Sequence, residues 1–324
     1  MNLNEIALPV KKDIDEFNDY FKGLMKTKVA LLDIIVKYLT KQKGKQVRPI
    51  LVFLSAQLVK EVSHRSFIAA GMIELLHTAT LIHDDVVDKA AERRGIASIN
   101  VEWNNKIAVL VGDFLLSKGL LISVDNGEYN FLQVTSRAVK RMSEGELLAV
   151  DMIKKKEIDE ETYFKIIADK TASLMSACCE IGAVSSTDDK SIHETLRDYG
   201  EYVGTAFQLK DDLFDYTAKS FIIGKPVGND IKEKKITLPL IHSFTNAENG
   251  ESKKIYKMIR KGKLKTAELE YIIDFAKNNG GLDYTYKKAI EFSEKAKFAI
   301  SNFQDSDAKT SLLNFAEFVV QRNS

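Results

Sequence analysis

The chain has 324 residues, with 47 lysines and arginines against 46 aspartates and glutamates. That balance excludes bulk attraction to nucleic acid, and the length allows one domain over residues 1–324 with a large buried core. Two adjacent cysteines, Cys178 and Cys179, cannot build a disulfide framework and suit a reducing compartment. The segment 1–19 mixes both charges and shows no signal-peptide pattern, so a cytoplasmic protein is expected. The longest apolar stretch, Ile107 to Leu116, is interrupted by Asp113 and is too short to span a bilayer, so no transmembrane segment is expected.

Prolines occur only at positions 9, 49, 226 and 239, and the proline-free stretch between the middle two predicts helix throughout. Gly44 to Pro49 reads on its own as a turn. Ser66 to Ala90 places Phe67, Ile68, Met72, Ile73, Leu75, Leu76 and Leu81 at helical intervals. Asp159, Glu160 and Glu161 put acids in the first turn of a helix that continues through Ile166, Ile167 and Met175. Ser191 and Glu194 form a capping-box pattern opening a helix towards Thr217. Phe221 to Leu240 carries Gly224, Pro226, Gly228 and Pro239 among several lysines and reads as an ordered but mobile loop. From Asn246 the pattern is helical again. No run of alternating strand pattern stands out, so the fold class is all-α.

Two helices end in the same motif. Asp84-Asp85-Val86-Val87-Asp88 follows an apolar stretch, and so does Asp211-Asp212-Leu213-Phe214-Asp215. In each, the first and last aspartates lie one helical turn apart on one face. At an effective dielectric of about 20 and roughly 6 Å separation, such a like-charge pair costs on the order of 3 kcal/mol. The preceding residues look buried, which argues against a merely solvated acidic face. Hard carboxylate oxygens without histidine or cysteine suit magnesium, an ion that keeps waters and bridges to phosphates. Cationic residues accompany both clusters: Lys45 and Arg48 upstream, Arg93 and Arg94 just after the first, then Lys170, Lys225 and Lys235. Taken singly, the paired arginines read as surface residues and His83 as a core histidine. Trp103, Asp113, Glu144 and Glu146 read as structural.

From about Lys43 to Leu240 this order of motifs resembles the trans-isoprenyl diphosphate synthases, or polyprenyl synthetases, and most of all the long-chain octaprenyl and heptaprenyl enzymes. The resemblance implies the isoprenoid synthase fold, about a dozen helices around a deep central cavity with the two aspartate-rich helices facing one another at its mouth. It implies head-to-tail condensation of isopentenyl diphosphate with an allylic diphosphate, ending in an all-trans polyprenyl diphosphate. By the same resemblance Asp84, Asp85, Asp88, Asp211, Asp212 and Asp215 hold magnesium, three ions when substrate is bound. Arg93, Lys170, Lys225 and Lys235 hold the allylic diphosphate. Lys45, Arg48, His77 and Arg94 hold isopentenyl diphosphate without metal. Thr171 and Gln208, beside Lys170, present neutral dipoles to the allylic cation, and the released pyrophosphate takes the final proton. The family usually forms homodimers.

Product length is expected to depend on what lies below Asp84. Thr80, Leu76 and Ile73 stand about 6, 12 and 16 Å back along the helix on roughly the same face, with small Ala79 further round. No aromatic ring occupies these positions, which favours a medium-to-long product of the kind used for quinone side chains. Ala79→Phe should then shorten it. The alternatives are a short-chain farnesyl or geranylgeranyl diphosphate synthase and a non-catalytic regulatory subunit. Such subunits typically lose part of an aspartate motif, whereas both are intact here. A head-to-head or cyclising synthase would lack the Gly-Lys-x-x-Arg-Pro segment.

Overall fold

Helix follows from the sequence as expected: strand-forming alternation is absent, and Pro49 and Pro239 each lie in the first turn of a helix. The computed structural model describes residues 2–41, 44–93, 95–154, 159–217, 228–247 and 250–322. Its first helices are α1 (Leu3–Ile6), α2 (Lys11–Leu24), α3 (Ala30–Lys41), α4 (Val47–Val59), α5 (His64–Val87), α6 (Ile99–Glu102) and α7 (Asn105–Asp125). Then come α8 (Tyr129–Lys154), α9 (Glu160–Ile167), α10 (Ser173–Val184), α11 (Lys190–Thr217), α12 (Asn229–Lys232) and α13 (Leu238–Asn246). The last four are α14 (Glu251–Lys261), α15 (Thr266–Asn278), α16 (Gly281–Ala299) and α17 (Asp307–Gln321). One feature departs from an all-helical reading: β1 (Glu92–Arg93) and β2 (Ile96–Ala97) form a small antiparallel hairpin directly after the first aspartate cluster.

The chain divides into two compact units. The first comprises Met1–Arg137, Ala177–Arg197 and Phe303–Leu312; the second comprises Ala138–Ser176, Asp198–Asn302 and Leu313–Ser324. In the first unit α5 is the central helix, packed on α7 and α4. Its Leu75, Ala79 and Ile82 enter a cluster with Met25, Ile35, Ile99, Ala108, Val111 and Leu115, while Trp103 packs at the edge in T-shaped contact with Tyr38. A second patch joins Phe17, Phe53 and Phe67 between α2, α4 and α5. Ser63 and Ser66 cap α5 reciprocally, and Asn104 caps α7 by accepting from the Ile107 amide. His83 is not a core residue: its side chain is 30% exposed and faces the Val109 carbonyl and Asp113 of α7.

The second unit is built on Ile231, Leu240, Ile255, Ile259, Ile272 and Phe275, gathered from α12 to α15. The helix expected after Asp159 is present, with Asp159 accepting from the Thr162 amide at 2.7 Å. It reaches Met175 only through a turn of π-helix, Ala168–Ala172. The expected capping box at Ser191 is corrected: α11 begins at Lys190, and Asp189 in the first unit caps it, accepting from the Ser191 amide at 2.8 Å and from its hydroxyl at 2.7 Å. Asp189 precedes Ser191 by two residues and carries a charge, which makes it the better partner for the amides of a first turn. Of the expected loop Phe221 to Leu240, residues 221–227 lie outside the described residues; the remainder forms α12 and the start of α13.

Two described helices, α5 and α7, are long and apolar enough to cross a membrane by length and composition. The Ile107–Leu116 stretch belongs to a helix of 21 residues, longer than the apolar run alone suggested. α5 is mostly buried within the protein, whereas less than half of α7 is.

Candidate active site

The first aspartate cluster closes the C-terminal end of α5. Asp84 and Asp88 are exposed, whereas Asp85, one position round the helix, is 5% exposed. A buried carboxylate demands a partner, and the hairpin supplies it. Arg93 Nε donates to Asp85 Oδ1 and Oδ2 at 2.8 and 3.0 Å, and Nη2 donates to Oδ1 at 2.6 Å. The hairpin is tied back by Ser98, whose hydroxyl donates to the Ala90 carbonyl at 2.6 Å, and by Asn100, whose amide donates to the same carbonyl at 3.2 Å. Arg93 is therefore held in place by the cluster it follows.

Beside it lies a cavity of ≈ 800 Å³ whose walls include Lys45, Arg48, His77, Asp85 and Arg93, backed by Phe17, Phe21 and Met25. Lys45 and Arg48 flank the entry to α4, where Gln46 adopts a left-handed φ of 49° and its amide donates to Asn18 at 2.7 Å. The contact pins that turn to α2. Thus Lys45, Arg48 and His77, far apart in sequence, share one cavity with Arg93; Arg94 lies outside the described residues. Along α5 the cavity wall is the stripe Glu74, His77, Thr78, Leu81, Ile82 and Asp85. Ile73, Leu76 and Thr80, with Asp84, form the neighbouring stripe and line neither of the two cavities described, nor does Ala79. Ala79 and Ile73 are fully buried and Leu76 nearly so, while Thr80 is partly buried with its hydroxyl donating to the His77 carbonyl at 2.9 Å.

The second cluster, in the other unit, closes α11. Here each carboxylate has a protein partner. Asp211 pairs with Arg322, which also donates to the Phe207 carbonyl at 3.1 Å and lies over the Phe207 ring, 3.9 Å from its centroid. Asp212 is 4% exposed; it accepts from the Tyr163 hydroxyl at 2.6 Å and from Gln208 Nε2 at 2.8 Å. Gln208 Oε1 in turn accepts from the Thr171 hydroxyl at 2.9 Å. Asp215 accepts from the backbone amides of Asn229 and Asp230 at 2.8 and 3.1 Å. Burial, reinforced by the charge of Asp230, pushes the Asp212 carboxyl up to about 7 and that of Asp215 up to about 6.

A cavity of ≈ 210 Å³ adjoins this network, with Lys170, Thr171, Gln208, Asp212 and Lys235 in its wall beside Ile166, Ile167 and Met152. Lys170 is exposed and pairs with Glu146, which is thereby a cavity residue rather than a bystander. Lys235 pairs with Glu233 at 2.6 Å. Lys225 lies outside the described residues. Tyr163 and Glu146 were not foreseen as site residues. Glu146 reads from the sequence as structural, and nothing in the sequence marks Tyr163.

Among the described residues no ready-made cage of three or more histidine, cysteine or acidic side chains exists. The donors fit a hard ion all the same. Asp84 and Asp88 are exposed residues one turn apart, and a pair of carboxylates so spaced suits magnesium completing its shell with water and phosphate oxygens.

Residues 29–276 match the family described as Polyprenyl synthetase. The chain is 35% identical over 320 residues to an all-trans-nonaprenyl-diphosphate synthase (geranyl-diphosphate specific) of Rhodobacter capsulatus, spanning 98% of this chain and 97% of that one. It is 34% identical to the octaprenyl diphosphate synthase of Escherichia coli over the full length of both. Its fold superposes with a TM-score of 0.91, at 31% identity, on a polyprenyl synthase from Caulobacter crescentus CB15 complexed with calcium and isoprenyl diphosphate, covering 100% of this chain and 98% of that chain.

Proposed function

The chain belongs to the polyprenyl synthetase family and is a prenyltransferase of the isoprenoid synthase fold that elongates trans-prenyl chains, and from this we propose how its residues divide the work. The two units act as one polyprenyl synthetase domain over residues 1–324, with isopentenyl diphosphate bound in the first. The observation that carries this reading is the gathering of Lys45, Arg48, His77 and Arg93 in one cavity. Four groups capable of positive charge or N–H donation around a recess suit a diphosphate bound without metal. Arg94 completes this set in the proposal.

The allylic diphosphate is held by Arg93, Lys170, Lys225 and Lys235, with Asp84, Asp85, Asp88, Asp211, Asp212 and Asp215 as the carboxylate set for magnesium. The calcium and isoprenyl diphosphate named for the Caulobacter structure support a divalent ion here. Bound magnesium, three ions with substrate in place, would neutralise charge developing on the departing diphosphate. The chain's own residues do the rest. Asp85 aims Arg93, Tyr163 and Gln208 hold Asp212, and Thr171 and Gln208, linked to each other, line the cavity where the allylic cation would form. Ile166, Ile167 and Met152 keep that wall apolar and limit water.

The product is an all-trans polyprenyl diphosphate of medium-to-long chain, in line with the octaprenyl and nonaprenyl enzymes to which the chain is similar. Thr80, with Ala79, Leu76 and Ile73, sets the route of the tail; Thr80 is the one whose side chain is only partly buried. Homodimers form through α7, whose Leu110, Leu120, Leu121 and Val124 are each about half exposed. An apolar stripe of this kind is the usual mark of a subunit interface. The protein works in the cytoplasm, where both diphosphates are soluble. Radiolabelled isopentenyl diphosphate supplied with farnesyl diphosphate and magnesium tests the reaction: incorporation into chains beyond twenty carbons is expected, and products ending at fifteen or twenty carbons would reject the long-chain assignment.

A further inference from the structure

α9 does not run straight into α10. Between them Ala168–Ala172 forms a turn of π-helix, which inserts one residue into the α-helical repeat and so rotates the faces of α10 by about 100°. Lys170 and Thr171 both sit in this turn, and both line the cavity of the second unit. A π turn is poorer than α-helix on its own and persists where surrounding contacts impose it.

Those contacts converge on Asp169, which is 7% exposed. Arg141 of α8 donates through Nε to Asp169 Oδ1 at 2.7 Å. The two terminal nitrogens of the same guanidinium donate to Glu201 of α11, at 2.7 Å to Oε2 and 3.2 Å to Oε1. Lys165 donates to the other Asp169 oxygen at 3.1 Å, and the Ser173 hydroxyl to the Asp169 carbonyl at 2.6 Å. One turn along α8 from Arg141, a Cβ on Gly145 would lie 2.8 Å from the Lys170 amide nitrogen. On the opposite side, a Cβ on Gly204 of α11 would lie 2.6 Å from Ala172 Cα. The turn is gripped between two helices that approach it with bare backbone, and Arg141 ties both to it. Neither Arg141, Asp169 nor Glu201 lines the cavity, so none of them touches what binds there.

We propose that Arg141 is a positioning residue for prenyl transfer: by bridging Asp169 and Glu201 it maintains the π turn that aims Lys170 and Thr171 into the cavity. The proposal rests on the assignment of Lys170 and Thr171 to the allylic end, and its test keeps the two apart. A planar fork reaching two carboxylates at once cannot be replaced by a lysine, which can satisfy only one.

The test is a double-mutant cycle on the full-length protein, with kcat and both KM values measured at a temperature where circular dichroism shows every variant folded. Arg141→Gln should lower kcat roughly 10- to 100-fold, the penalty typical of misplaced groups, with KM for isopentenyl diphosphate changed by less than about two-fold. Arg141→Lys should fall between it and the parent. In a Lys170→Ala, Thr171→Val background, adding Arg141→Gln should cost less than about three-fold more, because the groups it positions are already gone. If the loss carries over in full, or Arg141→Gln keeps the parental kcat, Arg141 only supports packing and the inference is overturned. If Lys170→Ala, Thr171→Val itself leaves kcat and KM unchanged, the underlying assignment fails instead, and the inference falls with it. Should Arg141→Gln not fold, Glu201→Gln releases one side of the bridge, and the same cycle applies with the same outcomes.

Discussion

Asp212→Asn isolates the carboxylate that the fold buries most completely in the second cluster. Burial is the main reason its carboxyl is pushed up to about 7, with the charges of Asp230 and Asp211 adding to it and the bonds from Tyr163 and Gln208 opposing it. In the unfolded chain the same group loses its proton near pH 4. The native protein therefore binds the extra proton between these values, and stability falls as pH rises from about 4 to 7. Integrated over that interval, the raised carboxyl costs about 1–2 kcal/mol at pH 5 and about 4 kcal/mol at pH 8. The amide substitute is neutral at every pH, can still accept from Tyr163, and can donate to Gln208 once the glutamine amide turns over. Urea unfolding in the presence of EDTA should show the variant more stable than the parent, by about 2–3 kcal/mol more at pH 8 than at pH 5. Saturating magnesium with pyrophosphate should erase most of that advantage, since a cation favours the charged parent. An advantage equal at both pH values, or a loss at pH 8, would show that folding does not hold the extra proton on Asp212.

Arg322→Gln removes the pair with Asp211 and the stacking on Phe207, and should lower stability by about 1–3 kcal/mol in urea titrations; an unmoved midpoint would show the C-terminal contact to be idle. Arg48→Gln should raise KM for isopentenyl diphosphate at least roughly ten-fold while leaving KM for the allylic primer nearly unchanged; equal effects on both would contradict the division of the two sites. Ala79→Phe inserts a ring into a fully buried position of the first unit's core and should cost about 1–3 kcal/mol of stability. If the melting temperature does not fall, space adjoins Ala79 after all. Thr80→Phe should shorten the product seen by chromatography, and an unchanged length would move the tail to another face of α5.

The helices and the two carboxylate clusters were legible because side-chain type and spacing carry them. An aspartate four residues after another lies on its face whatever the rest of the fold does. The middle aspartates were legible only in part: Asp85 and Asp212 sit about 100° round from their neighbours, towards the apolar side, yet their partners Arg93 and Tyr163 depend on a hairpin and on a separate helix. The π turn left no trace, since one extra residue barely disturbs an apolar periodicity that is already irregular. Ala79 illustrates the limit from the other side. Its small size reads from the sequence as an open path, yet smallness equally serves close packing, and the sequence does not reveal that Ala79 lies in the core shared by α3, α5 and α7.

Prenyl transfer itself is the most direct measurement. Purified protein alone, given labelled isopentenyl diphosphate, an allylic primer and magnesium, should build labelled all-trans chains longer than twenty carbons, and chelating the metal should stop their synthesis. No incorporation of label by folded protein, with either geranyl or farnesyl diphosphate as primer, would contradict it.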